Sequence, residues 1–221
     1  MKTLITCYAF RLLTNFVKTH HKTLLDIGIG DGNKLRYWHD RGLITAGCDN
    51  NQEYLAAARE KRFVAKNVDL NDTHIALPFS DNSFDVVSIV HVLEHVKNPK
   101  WVVEEALRIT NDVVLINSPM GNSYVSDDHI HHWFTQEEVM EALVDEGTVF
   151  YFEPVISKIE DVNKYVEDRL HPELSEVYFN DLGFNLVLYK DAGQEKVIAN
   201  DITKVNATSG VYNGKEEEGA D

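Results

Sequence analysis

Short apolar runs alternate with helically spaced ones along most of the chain. KTLLDIG (22–28) predicts a strand, and GNKLRYWHDRG (32–42) a helix that ends near Gly42. LITAGCDN (43–50) reads as a second strand, followed by QEYLAAAREK (52–61), which is rich in strong helix formers. RFVAKNVDL (62–70) is a third strand and FDVVSIVHV (84–92) a fourth, so continuously apolar that both its faces should be covered. In PKWVVEEALRI (99–109), Val102, Ala106 and Ile109 keep one helical stripe. DVVLINSP (112–119) is a fifth strand. TQEEVMEALVDEG (135–147) is a helix whose Thr135 and Glu138 have capping-box spacing. TVFYFEPV (148–155) and FNLVLYK (184–190) supply two further strands.

Strands that alternate with helices at this interval imply right-handed βαβ units. The expected fold is α/β: a doubly wound, mostly parallel, seven-stranded Rossmann-like sheet with an antiparallel final strand. Residues 1–21 are expected to form an amphipathic helical cap, and 22–190 the main domain. A charged stretch within that domain, about 157–181, reads as a helical insertion on the rim. Residues 191–221 are polar, end in an acidic run and are expected to be a flexible tail.

Two widely separated cysteines, Cys7 and Cys48, give no disulfide framework and no cysteine-based zinc site. Arg11 interrupts the apolar N-terminus too early for a signal peptide, and no apolar run is long enough to span a membrane, so a cytoplasmic location is expected. A net charge of −15 weighs against nucleic acid as a partner, because phosphates would be repelled.

The first strand leads into three glycines, Gly28, Gly30 and Gly32, spaced G-x-G-x-G. Glycines there permit a sharp turn and let a ligand lie against the backbone. Asp31 sits inside the loop and Asp26 just before it. Carboxylates would repel a pyrophosphate but favour an ammonium or sulfonium group, so the loop suits a cationic ligand.

With ALPFSDNSFDVVSIVHVLEHV at 76–96, the glycine loop completes a pattern that resembles class I S-adenosylmethionine-dependent methyltransferases, over about residues 22–190. The resemblance implies that S-adenosyl-L-methionine is the cofactor. It places Asp26 and the Gly28, Gly30, Asp31, Gly32 backbone at the methionine part, and Asp49 at the ribose hydroxyls with Asn50 beside it. Asp69 and Leu70 fall near the adenine, with Asp72 a rival to Asp69, and His91 at the cofactor edge of the cleft.

Transfer to oxygen requires a base, and histidine titrates in the useful range. Ten histidines are present, with His91 and His95 in one cluster and His129, His131 and His132 in another. Both clusters follow strands at the carboxyl edge. One histidine among His91, His95, His131 and His132 could act as general base or position the acceptor. Alternatively a divalent metal could sit among Glu94, His95, His129 and His131. H-x-x-E-H with the later D-H-x-H-H-W-F-T is similar to the pattern of small-RNA 2′-O-methyltransferases and ubiquinone-pathway O-methyltransferases, although His91 stands where they have Glu. The expected activity is methylation of a small molecule, oxygen favoured over nitrogen. RNA ribose or tRNA methylation, or a catalytically silent cofactor-binding subunit, are the alternatives, and oligomeric state is not legible.

Overall fold

The computed structural model describes residues 13–120, 127–155, 183–190 and 208–213. Its strands are β1 (Thr23–Ile27), β2 (Ile44–Asp49), β3 (Val64–Asn67), β4 (Phe84–Val90), β5 (Thr110–Pro119), β6 (Val149–Val155), β7 (Gly183–Tyr189) and β8 (Thr208–Val211). Among the described residues four helices accompany them: α1 (Asn33–His39), α2 (Gln52–Glu60), α3 (Pro99–Ile109) and α4 (Gln136–Leu143). The sheet order is β3-β2-β1-β4-β5-β7-β6-β8. The five strands from β3 to β5 are mutually parallel, while β7 runs antiparallel to both β5 and β6.

The strand order reverses between β1 and β4, the place where ligands of such sheets collect. Helices cover both faces. Val102, Ala106 and Ile109 of α3 and Val139, Met140 and Leu143 of α4 join Leu25, Val87 and Val114 in one core layer. Leu35 and Trp38 of α1 and Leu55 and Ala58 of α2 join Leu24, Val86 and Leu115 in the other. The expected capping box of α4 is complete, with Thr135 and Glu138, and Asn98 caps α3 with Pro99 in its first turn.

The last of the seven expected strands, β7, is antiparallel as expected; it is inserted between β5 and β6 and is buried along its whole length. Its near-continuous apolar run suits a strand covered on both faces. The sheet also has an eighth strand, because Thr208–Val211, in the segment expected to be a flexible tail, pairs antiparallel with β6. The insertion at 157–181 and most of the N-terminal cap lie outside the described residues. Of the cap, Thr14–Phe16 forms a short 3-10 turn and Leu13 is fully buried. His21 fastens this segment: its Nδ1 accepts from the Lys18 amide at 3.0 Å, and its Nε2 lies 2.6 Å from an Asp112 carboxylate oxygen.

The LPF…S-F-D signature is a clamped loop. Arg108 on α3 donates to the carbonyls of Leu77 and Phe79 and to the carboxylates of Asp81 and Glu105. Glu105 in turn accepts the Leu77 amide at 2.6 Å. The Arg108 hydrogen bonds hold the Glu105 carboxyl below its usual range.

Asp85, the second residue of β4, accepts from the amides of Lys22 (2.6 Å) and Thr23 (2.9 Å) and from Asn111 (3.0 Å). Desolvation raises its pKa, but these hydrogen bonds outweigh that and bring it from 3.8 to about 2. A pKa depressed by folding adds stability that is present above the unfolded value and disappears as pH falls through the folded one. Asp85→Asn is therefore expected to lower the urea midpoint at pH 7 and to flatten its fall between about pH 4 and pH 2. Superimposable acid limbs for mutant and wild type would contradict this.

Candidate active site

The turn after β1 is latched to β2. The amides of Gly28 and Ile29 both donate to the Cys48 carbonyl, at 2.8 and 3.1 Å, and the Gly30 amide donates to Asp49 Oδ2 at 3.0 Å. Gly28, Gly30 and Gly32 all have positive φ, at 73°, 54° and 81°. A side chain at Gly28 would strike Val92, with its Cβ 2.2 Å from a methyl carbon, whereas a Cβ at Gly30 would meet nothing within 4 Å. The middle glycine therefore faces open space, as a backbone approached by a ligand must. Gly47, which the sequence pattern did not single out, is equally constrained: its Cβ would lie 1.8 Å from Ile29, the residue between the first two loop glycines.

The acidic residues of the loop take different parts. Asp26 is fully buried, accepts from Ser88 Oγ at 2.8 Å and has Lys34 Nζ at 3.7 Å. Burial pushes its carboxyl above the usual range, more than Lys34 and Ser88 pull it down. Asp31 is exposed, bonded to the amide and side chain of Asn33 and 3.6 Å from Lys61 Nζ. Asp49 uses Oδ2 on Gly30 and Oδ1 on the Asn51 amide at 2.9 Å; Asn51 in turn caps α2, and Asn50 is exposed. The Val68 amide donates to the Asp49 carbonyl, which brings Asp69 to the same edge. Asp69 itself is exposed and caps a turn through the Asn71 amide, Leu70 is buried in the core, and Asp72 lies further along that turn.

Beyond β4 the two histidine clusters meet at Glu94. The main-chain amides of Ile130 and His131 donate to the Glu94 carbonyl, at 2.8 and 3.2 Å, docking segment 127–134 on the 3-10 turn Leu93–His95. The Glu94 side chain is buried; its Oε2 accepts from Ser118 Oγ at 2.6 Å. Its Oε1 has His91 Nδ1 at 3.3 Å and His95 Nε2 at 3.9 Å, contacts that fall short of well-aligned hydrogen bonds. Desolvation raises the Glu94 pKa, but the His91 contact and the Ser118 bond outweigh it, so the group stays below its usual range.

His91 has a left-handed backbone, φ 55°, held by its amide on the Asn117 carbonyl at 2.9 Å, and its side chain is 42% exposed. A non-glycine residue in this region is uncommon and marks sites where geometry is imposed. The ring of His95 contacts that of His129, centroids 4.7 Å apart, and its Nδ1 lies 3.1 Å from the Asp128 carbonyl. His129 is buried, and desolvation lowers its pKa. Glu94, His95 and His129 offer ligand atoms within 4.8 Å of one another. His131 does not join them: its Nε2 lies 2.8 Å from the Val96 carbonyl and its ring stacks on Trp133. His132 is exposed.

Ser88 and Ser118 escaped the sequence pattern, although each interrupts an apolar strand run, VVSIV and LINSP, and that interruption is the signal. Lys34 escaped as well. A lysine in the first turn of a helix opposes the helix dipole, which was its only mark.

Residues 25–113 match the family described as a methyltransferase domain. A demethylmenaquinone methyltransferase of Renibacterium salmoninarum is 34% identical over 91 residues, 39% of this chain and 36% of that protein. An uncharacterised methyltransferase of Mycolicibacterium gilvum is 32% identical over 97 residues, 44% of this chain and 38% of that protein. The matched part thus spans a little over a third of the length of these relatives. The fold is shared with an S-adenosylmethionine-dependent methyltransferase from Mesorhizobium loti (TM-score 0.62, 15% identity, 81% of this chain and 96% of that one). It is shared too with a structure of a complex between a Haloferax volcanii methyltransferase activator and a methyltransferase (TM-score 0.63, 21% identity, 86% and 91%). Residues 25–113 are thus similar to a methyltransferase domain, and the fold is that of solved S-adenosylmethionine-dependent methyltransferases. No helix among the described residues is long and apolar enough to cross a membrane.

Asp49→Ala removes both the latch on Gly30 and a carboxylate from the cleft rim. With S-adenosylmethionine at a hundredfold excess over Kd, wild type should gain about 2.7 kcal/mol, a Tm rise of roughly 5–10 °C. The Asp49→Ala protein should show little or none of that rise, and NAD should stabilise neither. Stabilisation by NAD alone would contradict this assignment.

Proposed function

We propose that the chain methylates a hydroxyl group of a small molecule, with His91 as the general base and Glu94 as the group that orients it. S-adenosylmethionine, when bound, supplies the methyl group and leaves as a neutral thioether. The contribution of the chain is alignment and removal of the acceptor proton. The observation that carries the reading is the buried Glu94 Oε1, 3.3 Å from Nδ1 of the half-exposed His91. A small turn of the ring that aims Nδ1–H at the carboxylate leaves the lone pair on Nε2, which takes the proton. Ser118 holds the other carboxylate oxygen, and the Asn117 carbonyl holds the His91 backbone, so the pair is preorganised from β5.

Asp49 and the Gly28–Gly32 turn form the donor side, with Asp69 beside Asp49 on the adenine side. A small acceptor agrees with the net charge of −15 and with relatives named for demethylmenaquinone. His91→Asn should lower kcat by about 10²–10³ while leaving the Kd of S-adenosylhomocysteine within about twofold. Undiminished turnover in that variant would refute the base assignment.

A second reading uses the same carboxylate. Glu94, His95 and His129 form a mixed nitrogen and oxygen set that suits a divalent ion such as zinc or manganese. An ion there would orient an acceptor diol in place of a histidine base. Chelator treatment with elemental analysis separates the two: the base reading expects full activity after removal of metal, and a loss restored by one divalent ion would establish the other.

A further inference from the structure

The acidic, glycine-rich bend suits a cation, and the cation that meets its buried acid is the protein's own. Lys34 Nζ donates to the carbonyl of Gly28 and to that of Val90, each at 3.1 Å, and stands 3.7 Å from Asp26 Oδ2. These three acceptors come from the carboxyl ends of β1 and β4, the two strands that flank the reversal of strand order. They form a small cage of two carbonyls and one carboxylate, the donor set expected around a primary ammonium.

Lys34 fits this cage loosely. Asp26 is fully buried, yet its Oδ2 has no hydrogen-bond partner, because the ammonium is too far away to provide one. A buried carboxylate oxygen in that condition is costly and is better served by a closer donor. The lysine also sits in the first turn of α1, where the helix dipole disfavours a positive charge. Its stem is flexible and its side chain 19% exposed, so a path to solvent exists.

S-adenosylmethionine carries two cationic centres. Its sulfonium has no N–H or O–H to donate, whereas its α-ammonium has three N–H donors of the kind this cage accepts. We propose that Lys34 is a resident cation that occupies the ammonium place of the donor pocket, so that the donor binds only as Lys34 swings out. This rests on the donor assignment made above. Lys34 then sets donor affinity without touching the reacting atoms. Were the swung-out state about 10% populated, apparent affinity would be about tenfold below that of a pocket lacking the lysine. A ligand without the amino-acid moiety has nothing to place in the cage and should be indifferent to Lys34.

The test is calorimetric titration of the full chain with S-adenosylhomocysteine and with 5′-methylthioadenosine, in wild type and in Lys34→Met. The expected result is binding of S-adenosylhomocysteine about tenfold tighter in Lys34→Met, with methylthioadenosine unchanged. Equal or weaker binding of S-adenosylhomocysteine by the variant would overturn the proposal. If wild type binds neither compound, the donor assignment itself fails, a different outcome. A second measurement needs no variant. Acetic anhydride labelling of wild type, mapped by mass spectrometry, should rise at Lys34 when S-adenosylhomocysteine saturates the protein. A fall on saturation would mean that the ligand covers the lysine rather than displacing it, and would overturn the proposal independently.

Discussion

The latch between the turn after β1 and the end of β2 is the constraint on which the site depends. Two consecutive amides share the Cys48 carbonyl and a third takes Asp49 Oδ2, so the chain cannot leave β1 in any other direction. That path aims the Gly28 carbonyl toward the β4 side, where it meets Lys34, and presents Gly30 to open space. It is possible because Gly47 on β2 yields room to Ile29, and Gly28 to Val92. A methyl group at either position would collide with a buried side chain, and close-packed interiors absorb little of that.

Two buried carboxylates organise the halves of the cleft, and their opposite behaviour follows from their partners. Asp26 lies beneath the glycine turn with one serine hydroxyl and a loosely held ammonium, and desolvation prevails. Glu94 lies beneath the histidine clusters, where His91 and Ser118 outweigh its burial. The first keeps a carboxylate oxygen without a hydrogen-bond partner. The second is a settled negative charge able to orient an imidazole. In the proposed function these two carboxylates divide donor and acceptor chemistry across the β1–β4–β5 junction.

Glu94 also has a main-chain role. Its carbonyl anchors Ile130 and His131, which carries the second histidine group to the first across more than thirty residues of sequence. The anchor selects among the histidines. His129 is drawn into the cluster, while Val96 and Trp133 engage His131 and leave it outside.

Sequence alone determined the alternating strand and helix order, the capping box of α4, the glycine turn after β1 and the carboxyl edge as the place of the histidines. These are local properties: apolar periodicity, capping chemistry and the conformational freedom of glycine act over a few residues. Only tertiary structure decided that β7 enters the sheet between β5 and β6, that Thr208–Val211 adds a strand, and that Asp26 meets Lys34 and Ser88 rather than lying open. Nor could sequence separate His91 from His131, since both are histidines just past strand ends. Strand order, burial and side-chain partnership depend on which distant segments pack together, and the same residue type acquires its role from the neighbours that packing supplies.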